Sequence, residues 1–361
     1  MKGKSKLFIA VGVILSVLIT FSVLGCPRRE AEPEPEPREK FHLGITAGRP
    51  GDTWFVLSHA LATFINERSE WVTAEVVATA GVADNTRLLV AEKDRRATHL
   101  NVTMIPGVTA WGEGQHFPLK VASLGFLDDV WVTLDPAIKT LADFEGKTVV
   151  LSRDLPYGYG WIFDNWLRVA GVENYRLLHG GVSARRDALR DGAAPVGVLP
   201  VDMIWPDEHV LSSSMMELSA RGTLYFPNQG NVERNLAQIA LAGTMEPFVG
   251  EHTLPPLGMV IPAGRLGPTQ TEPLVYISTP LYWAAGIEVP EDVVYEVTRI
   301  LYEAASRNEF AAYHAVGRGI VPDFVARSFW RTDAERRANY HPGALRFYDE
   351  KGITLKHFTD P

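Results

Sequence analysis

A glycine-rich stretch between a short apolar strand and an amphipathic helix is the first place in this sequence where a ligand could bind. It reads Gly48-Arg49-Pro50-Gly51-Asp52-Thr53-Trp54-Phe55. A glycine loop that enters a helix N-terminus leaves backbone N–H groups without partners, and the helix dipole favours negative charge there. Thr53 adds a hydroxyl, and Trp54 and Phe55 add apolar walls. Such a loop could hold a carboxylate or phosphate, although an ordinary strand-to-helix turn has the same composition.

A second unit of the same kind follows directly. Val72 to Ala78 is predicted to form a strand, and residues 79–85 read Thr-Ala-Gly-Val-Ala-Asp-Asn. Thr86 to Ala91 then begins a short helix, which Asp84 is expected to cap. Two strand-loop-helix units so close in sequence can direct two helix N-termini towards one point.

The design recurs later in the chain. Leu141 to Leu151 predicts a turn and a buried strand, followed by a loop that contains Tyr157 and Tyr159 and by an amphipathic helix that Gly171 ends. This recurrence predicts an α/β protein with two lobes that present similar loops to one cleft. Such folds bind ligands beyond the carboxyl ends of their strands.

The rest of the chain supplies connections between these lobes. We interpret Val121 to Leu134 as a connecting pair of strands, Val275 to Ala285 as a strand and loop, and Pro290 as the start of a helix. The expected organisation is a first lobe of residues 41–137 plus 256–361 and a second lobe of residues 138–255. Two crossings between the lobes would form a hinge.

Motifs for covalent or phosphate chemistry were sought and rejected. Gly146-Lys147-Thr148 ends like a phosphate-binding loop, but Leu141 occupies the required first glycine position. The sequence has no Gly-x-Ser-x-Gly elbow and no His-Glu-x-x-His metal motif. The acid pairs Asp128-Asp129 and Asp52/Asp84 are interpreted as solvated surface or helix caps, and His341 as structural. We therefore expect no catalytic residue, cofactor or metal.

The N-terminus is typical of an exported protein. Three lysines precede an apolar run from Leu7 to Leu24, which Gly25-Cys26 follows, so residues 1–25 are predicted to be a signal peptide. An uncleaved membrane anchor is the alternative. Residues 26–40 contain a Glu-Pro repeat and are expected to form an extended tether. The 361-residue chain is 46% hydrophobic, and its net charge of -8 makes nucleic acid an unfavourable partner.

Several stretches together resemble one family. Val23-Leu24-Gly25-Cys26 resembles the lipobox of bacterial lipoproteins. Residues 45–55 resemble the opening "ITTGG-x-GGTYY", and residues 79–89 the "T-G-G-S-x-x-N-x-x-L-L" stretch, of TAXI proteins, the solute-binding subunits of TRAP transporters. Residues 141–150, residues 262–264 and the closing His341-Pro342-Gly343-Ala344 segment are similar to further TAXI motifs in the same order.

The resemblance implies a two-lobe periplasmic-binding fold, similar to type II, that closes on a small anionic or zwitterionic solute and delivers it to TRAP membrane subunits. It implies lipid attachment at Cys26 and a monomer on the periplasmic side, or outer face, of a membrane. By position it implies these ligand-binding residues: Gly48, Thr53, Trp54, Phe55, Thr79, Gly81, Asn85, Tyr157 and Tyr159, with Asp52 beside them.

Departures from the family pattern bear on the ligand. Val82 stands where the family has a hydroxyl, and Asp52 where Gly or Ser is usual. A carboxylate at position 52 would repel an anionic ligand or select one with an amino group. Tyr157 and Tyr159 suggest a bulkier or stacked ligand. A sensor that signals to a membrane kinase, and an enzyme built on the same fold, are the alternative functions.

Overall fold

The structure is a computed structural model that describes residues 38–104, 118–152, 160–242 and 257–361. The predictions for the signal peptide, Cys26, most of the tether, Tyr157 and Tyr159 concern residues outside these ranges. Within the described residues no helix is both long and apolar enough to cross a membrane.

The described strands form mainly one mixed sheet. Apolar and β-branched residues dominate them, and their side chains are largely buried on both faces, as expected where helices cover a sheet. In chain order the strands are β1 (Phe41–Thr46), β2 (Val72–Val77), β3 (His99–Thr103), β4 (Leu119–Thr133), β5 (Thr148–Leu151), β6 (Arg176–His179), β7 (Val196–Ile204), β8 (Glu208–Leu211), β9 (Leu257–Ile261), β10 (Leu274–Ala285), β11 (Arg327–Ser328) and β12 (Lys356–His357).

The helices mostly follow strands and pack on the sheet. The longest two show why: their apolar residues recur at helical spacing and are buried along one stripe. In chain order they are α1 (Thr53–Arg68), α2 (Val82–Ala91), α3 (Lys93–Thr98), α4 (Gly160–Val169), α5 (Val182–Arg190), α6 (Ser213–Ser219), α7 (Val232–Ala242), α8 (Glu291–Ser306), α9 (Pro322–Val325), α10 (Asp333–Asn339) and α11 (Pro342–Glu350).

The sheet has two similar halves. In one half β1 pairs in parallel with β2 and β3, and in the other β5 pairs in parallel with β6 and β7. The long strands β10 and β4 lie between them, antiparallel to β3 and β7 and to each other, which gives the order β2-β1-β3-β10-β4-β7-β5-β6. This confirms the predicted α/β class and the two-lobe, type II-like architecture.

Three strands pass from the core of the first half to the two cores of the second half. On β4, Phe126 belongs to the first core and Val130 to the second. On β10, Leu281 belongs to the first core and Ile277 to the third. On β7, Val201 packs in the second core and Met203 in the first, so that the crossing falls at residue 202.

Two local expectations were wrong. Residues 121–133 belong to one strand, β4, rather than a pair, because β10 pairs with it as far as Asp129 and β7 pairs with it from Asp128 onwards. Asp84 is not the cap of α2: Gly81 occupies the N-cap position and Asp84 lies in the first turn. His341 does have a structural role, since its side chain accepts a hydrogen bond from the Gly343 N–H at the start of α11.

Candidate functional site

A cavity of about 550 Å³ opens at the carboxyl ends of strands from both halves. This volume lies within the range of small-molecule sites. Segments that follow β1, β2 and β3 contribute from one side, and those that follow β5 and β6 from the other. The residues lining it include Gly48, Arg49, Asp52, Thr53, Trp54, Gly81, Val82, Asp84, Arg87, Leu127, Asp129, Ser152, Phe163, Gly180, Gly181, Ser183, Arg185, Asp202, Ser212, Ser213, Ser214, Ile277 and Thr279.

The glycine loop after β1 forms one wall, as predicted. Gly51 has φ +91°, a conformation that favours glycine and lets the chain turn into α1. Asp52 holds the N-cap position of α1 without capping it, and its Oδ2 accepts a hydrogen bond from the Arg49 N–H at 3.1 Å. Burial raises the pKa of Asp52, although the Arg49 contact works in the opposite direction.

Trp54 closes this wall against the crossing strand β4. Its ring lies over Gly125, where an added Cβ would come within 2.5 Å of the ring. Phe55 does not line the cavity; it is partly buried and packs against the first core. The two aromatic residues therefore separate, one towards the cavity and the other into the fold.

In the second predicted loop, Gly81 lines the cavity, whereas Thr79 and Asn85 lie behind it. Asn85 is fully buried, and its Nδ2 donates to the carbonyl oxygens of Ala47 at 3.0 Å and Val102 at 2.8 Å. Its Oδ1 accepts from the Thr79 hydroxyl at 2.5 Å. Asn85 thus joins the segments that follow β1 and β2 to strand β3.

Two segments of the opposite wall were not anticipated from the sequence. The turn between β6 and α5 brings Gly180, Gly181 and Ser183 to the cavity, and α5 begins at Gly181 without a side-chain cap. Ser212, at the N-cap of α6, also lines the cavity and donates to the Pro200 carbonyl at 2.6 Å. The sequence did contain a signal for the turn at Gly180 and Gly181, because a glycine pair between a strand and a helix repeats the pattern seen after β1.

The floor of the cavity lies where β4, β7 and β10 pass from one hydrophobic core to another, and it contains buried charged side chains. Asp129 on β4 and Arg185 on α5 are 8% and 2% exposed, and the Arg185 Nη1 donates to Asp129 Oδ2 at 2.9 Å. The same Nη1 donates to the Val198 carbonyl at 2.8 Å. The interpretation of Asp128-Asp129 as solvated surface was therefore wrong: both are buried, and burial raises the pKa of Asp128 well above its ordinary range.

Asp202 on β7 completes the floor. It is 3% exposed, and its Oδ2 accepts a hydrogen bond from the Thr53 hydroxyl at 3.0 Å, between residues 149 positions apart in the chain. Burial raises the pKa of Asp202 to about 7, although the Thr53 hydrogen bond works in the opposite direction. An acid within an apolar strand was the sequence signal for this residue.

The rim charges differ from those of the floor. Arg87 is exposed and bonds Asp84 through Nη2 at 2.6 Å. Burial alone would raise the pKa of Asp84, but the Arg87 contact and the Ala80 N–H outweigh it and lower the pKa. Val82 lies at the cavity too, so two departures from the family pattern, Asp52 and Val82, both line it.

The arrangement is suited to recognition. In the described part of the chain, no group of three or more His, Cys, Asp or Glu side chains is placed to hold a metal. The polar groups of the floor bind one another: Thr53 donates to Asp202, and Arg185 donates to Asp129. Hydroxyl groups, glycine N–H groups and charges of both signs are left to contact a solute.

Part of the chain is similar to a known protein family. Residues 255–352 match the NMT1-like family. Among solved structures, one described as a periplasmic transporter matches with a TM-score of 0.46 and 13% identity, over 89% of this chain and 100% of that one. The periplasmic binding protein BugD matches with a TM-score of 0.46 and 9% identity, over 89% and 99%.

The substrate-binding protein of an amino acid ABC transporter matches with a TM-score of 0.40 and 10% identity, over 76% of this chain and 99% of that one.

Proposed function

We propose that the protein is an extracytoplasmic, lipid-anchored solute-binding protein that captures a small carboxylate or amino-acid-like solute. One observation carries this proposal: a cavity of about 550 Å³ lies where three strands pass between the cores of the two halves, and both halves line it. Closure of two lobes around such a point can trap a solute without covalent chemistry.

We propose that Gly48, Asp52, Thr53, Trp54 and Gly81 contact the solute. Their backbone N–H groups, with the uncapped N-termini of α2 and α5, can bind a carboxylate. Thr79, Asn85 and Phe55 then support these loops from behind. Tyr157 and Tyr159, outside the described residues, are proposed as further contacts.

The two-lobe motion is part of the same proposal. The predicted lobes of residues 41–137 plus 256–361 and of residues 138–255 stay interleaved in this proposal, but their boundaries move to the points where the strands change cores. We propose that the hinge itself lies inside β4 and β10, near residues 127–129 and 278–280, since both strands change cores there. Leu127 and Thr279 pair across these two strands and line the cavity.

The resemblance to TAXI proteins supports delivery of the solute to TRAP-type membrane subunits, and the lipobox supports lipidation of Cys26. In a bacterial host, the wild-type chain should incorporate radiolabelled palmitate and fractionate with membranes. Cys26→Ser should lose the label and leave the membrane fraction. Label that persists in Cys26→Ser would contradict the anchor.

A thermal-shift screen of the purified protein tests solute capture. The panel contains amino acids, oxoacids, dicarboxylates and aromatic acids. A ligand present at about 1,000 times its Kd should stabilise the fold by about 4 kcal/mol, which raises Tm by several degrees. If no compound in the panel changes Tm, capture of this class of solute is wrong.

A further inference from the structure

The buried charges that line the cavity are not balanced. Among the described residues, three buried charged side chains line it: Asp129, Arg185 and Asp202. Asp129 and Arg185 form a hydrogen-bonded ion pair, so their charges offset each other. Asp202 has the Thr53 hydroxyl as its hydrogen-bond donor instead of a cationic side chain.

The remaining cationic side chains at the cavity lie at its rim. Arg49 and Arg87 are exposed, and Arg87 is paired with Asp84. Neither is among the groups that perturb Asp202, whose pKa is set by burial and by Thr53. The floor of the cavity therefore presents a carboxyl group to which a cation is the missing partner.

The burial of the Asp202 carboxyl group favours a cationic partner. A buried carboxylate without an opposite charge is costly, and the protein avoids the cost by holding the proton of Asp202 to near-neutral pH. An incoming ammonium group would supply N–H donors and charge at once, whereas a second carboxylate would face like charge. Thr53 uses its hydroxyl proton on Oδ2 and thereby orients the carboxyl group across the cavity floor.

We propose that Asp202 determines specificity by accepting a charge-assisted hydrogen bond from an ammonium group of the solute, so that the cavity selects amino-acid-like compounds over oxoacids and dicarboxylates. This rests on the proposed solute-binding function and narrows its substrate class. Thr53 is the positioning residue for Asp202.

The test compares compounds that differ in the amino group alone. Calorimetric titration at pH 7.5 pairs glutamate with glutarate and 2-oxoglutarate, alanine with propionate and pyruvate, and phenylalanine with 3-phenylpropionate. The amino compound of at least one set should bind about 10- to 100-fold tighter than its partners, as expected for a hydrogen bond to a charged group. Asp202→Asn should remove that preference, because the amino compound loses its charge-assisted hydrogen bond.

Asp128→Asn is the matched control, because it makes the same chemical change in a buried acid that does not line the cavity. It should keep the preference. Equal or tighter binding of the compounds without an amino group would overturn the specificity and leave solute capture intact. If no compound in any set binds, both proposals fail.

Proton release gives a readout that a purely structural role would not produce. An ammonium group that binds a part-protonated Asp202 near pH 7 should displace about half a proton, measured as a buffer-dependent binding enthalpy in phosphate and Tris. The other charged side chains around this site are Asp128 and Asp129 on β4, Arg185 on α5 and Asp52 before α1. Loss of the proton release in Asp202→Asn would show that the proton comes from Asp202 and not from one of these groups. Proton uptake, or release that persists in Asp202→Asn, would contradict the assignment.

Discussion

Replacement of Asp202 by Asn should stabilise the protein without solute, and the gain should depend on pH. The side chain is almost fully buried, and burial raises its pKa from 3.8 to about 7. The folded state therefore binds a proton that the unfolded state releases above about pH 4. The free energy of unfolding falls as pH rises through this window, because deprotonation favours the unfolded chain.

The magnitude follows from the two pKa values. One pH unit of difference corresponds to about 1.4 kcal/mol, so the rise from 3.8 to about 7 costs the wild type about 4 kcal/mol above pH 7. The amide that Asp202→Asn introduces cannot ionise, has nearly the same shape and still offers an oxygen to the Thr53 hydroxyl. The stability difference should be small at pH 4, grow to pH 7 and then level off.

Urea unfolding of wild type and Asp202→Asn at unit steps from pH 4 to pH 8, without solute, measures this difference. Asp128→Asn is a second test of the same reasoning, because burial also raises the pKa of Asp128, and it should stabilise the protein in the same direction as pH rises. A difference between wild type and Asp202→Asn that stays constant with pH would refute the reasoning. So would a loss of stability in the variant that grows with pH.

Three further substitutions test other parts of the site. Arg185→Met should lower the free energy of unfolding by about 3–5 kcal/mol in urea, since it leaves Asp129 buried without its partner, and the added change Asp129→Asn should restore part of the loss. Asn85→Ala should cost about 2–4 kcal/mol in the same assay because two buried carbonyl groups lose their donor. Gly125→Ala should cost about 1–3 kcal/mol and weaken solute binding in calorimetry, since its Cβ displaces Trp54. If a variant has the same free energy of unfolding as wild type, the stabilising contact assigned to that residue is wrong.

Local patterns could be read from the sequence. The apolar strand, the glycine loop and the stripe of α1 all depend on neighbours within one turn or loop, and the order strand, loop and helix predicted around residues 48–55 is the one observed. Gly180-Gly181 has the same local pattern and was accessible to the same reasoning.

Long-range contacts could not be read in this way. Asp128-Asp129 looked like surface because their burial depends on β10 and β7, which lie far along the chain. Asn85 was predicted to face the ligand, but its amide meets carbonyl groups 17 and 38 residues away. Asp202 is opposite Thr53 only because the two halves meet there. A single sequence shows the type of each side chain and not its tertiary partner.

The most direct test of the account asks whether the cavity is the binding site. The substitution Gly181→Phe would place a ring in the cavity: a Cβ at this position has no neighbour within 4 Å, and the backbone is extended. Gly222→Phe is the matched control, since a Cβ there meets no atom closer than 3.7 Å and the residue lies away from this cavity.

The measurement is calorimetric titration of wild type and both variants with the solute that stabilises wild type most in the thermal screen. We expect one solute per chain in wild type and in Gly222→Phe, and binding weakened roughly tenfold or more in Gly181→Phe. Equal affinity in all three proteins would place the solute elsewhere and contradict the account.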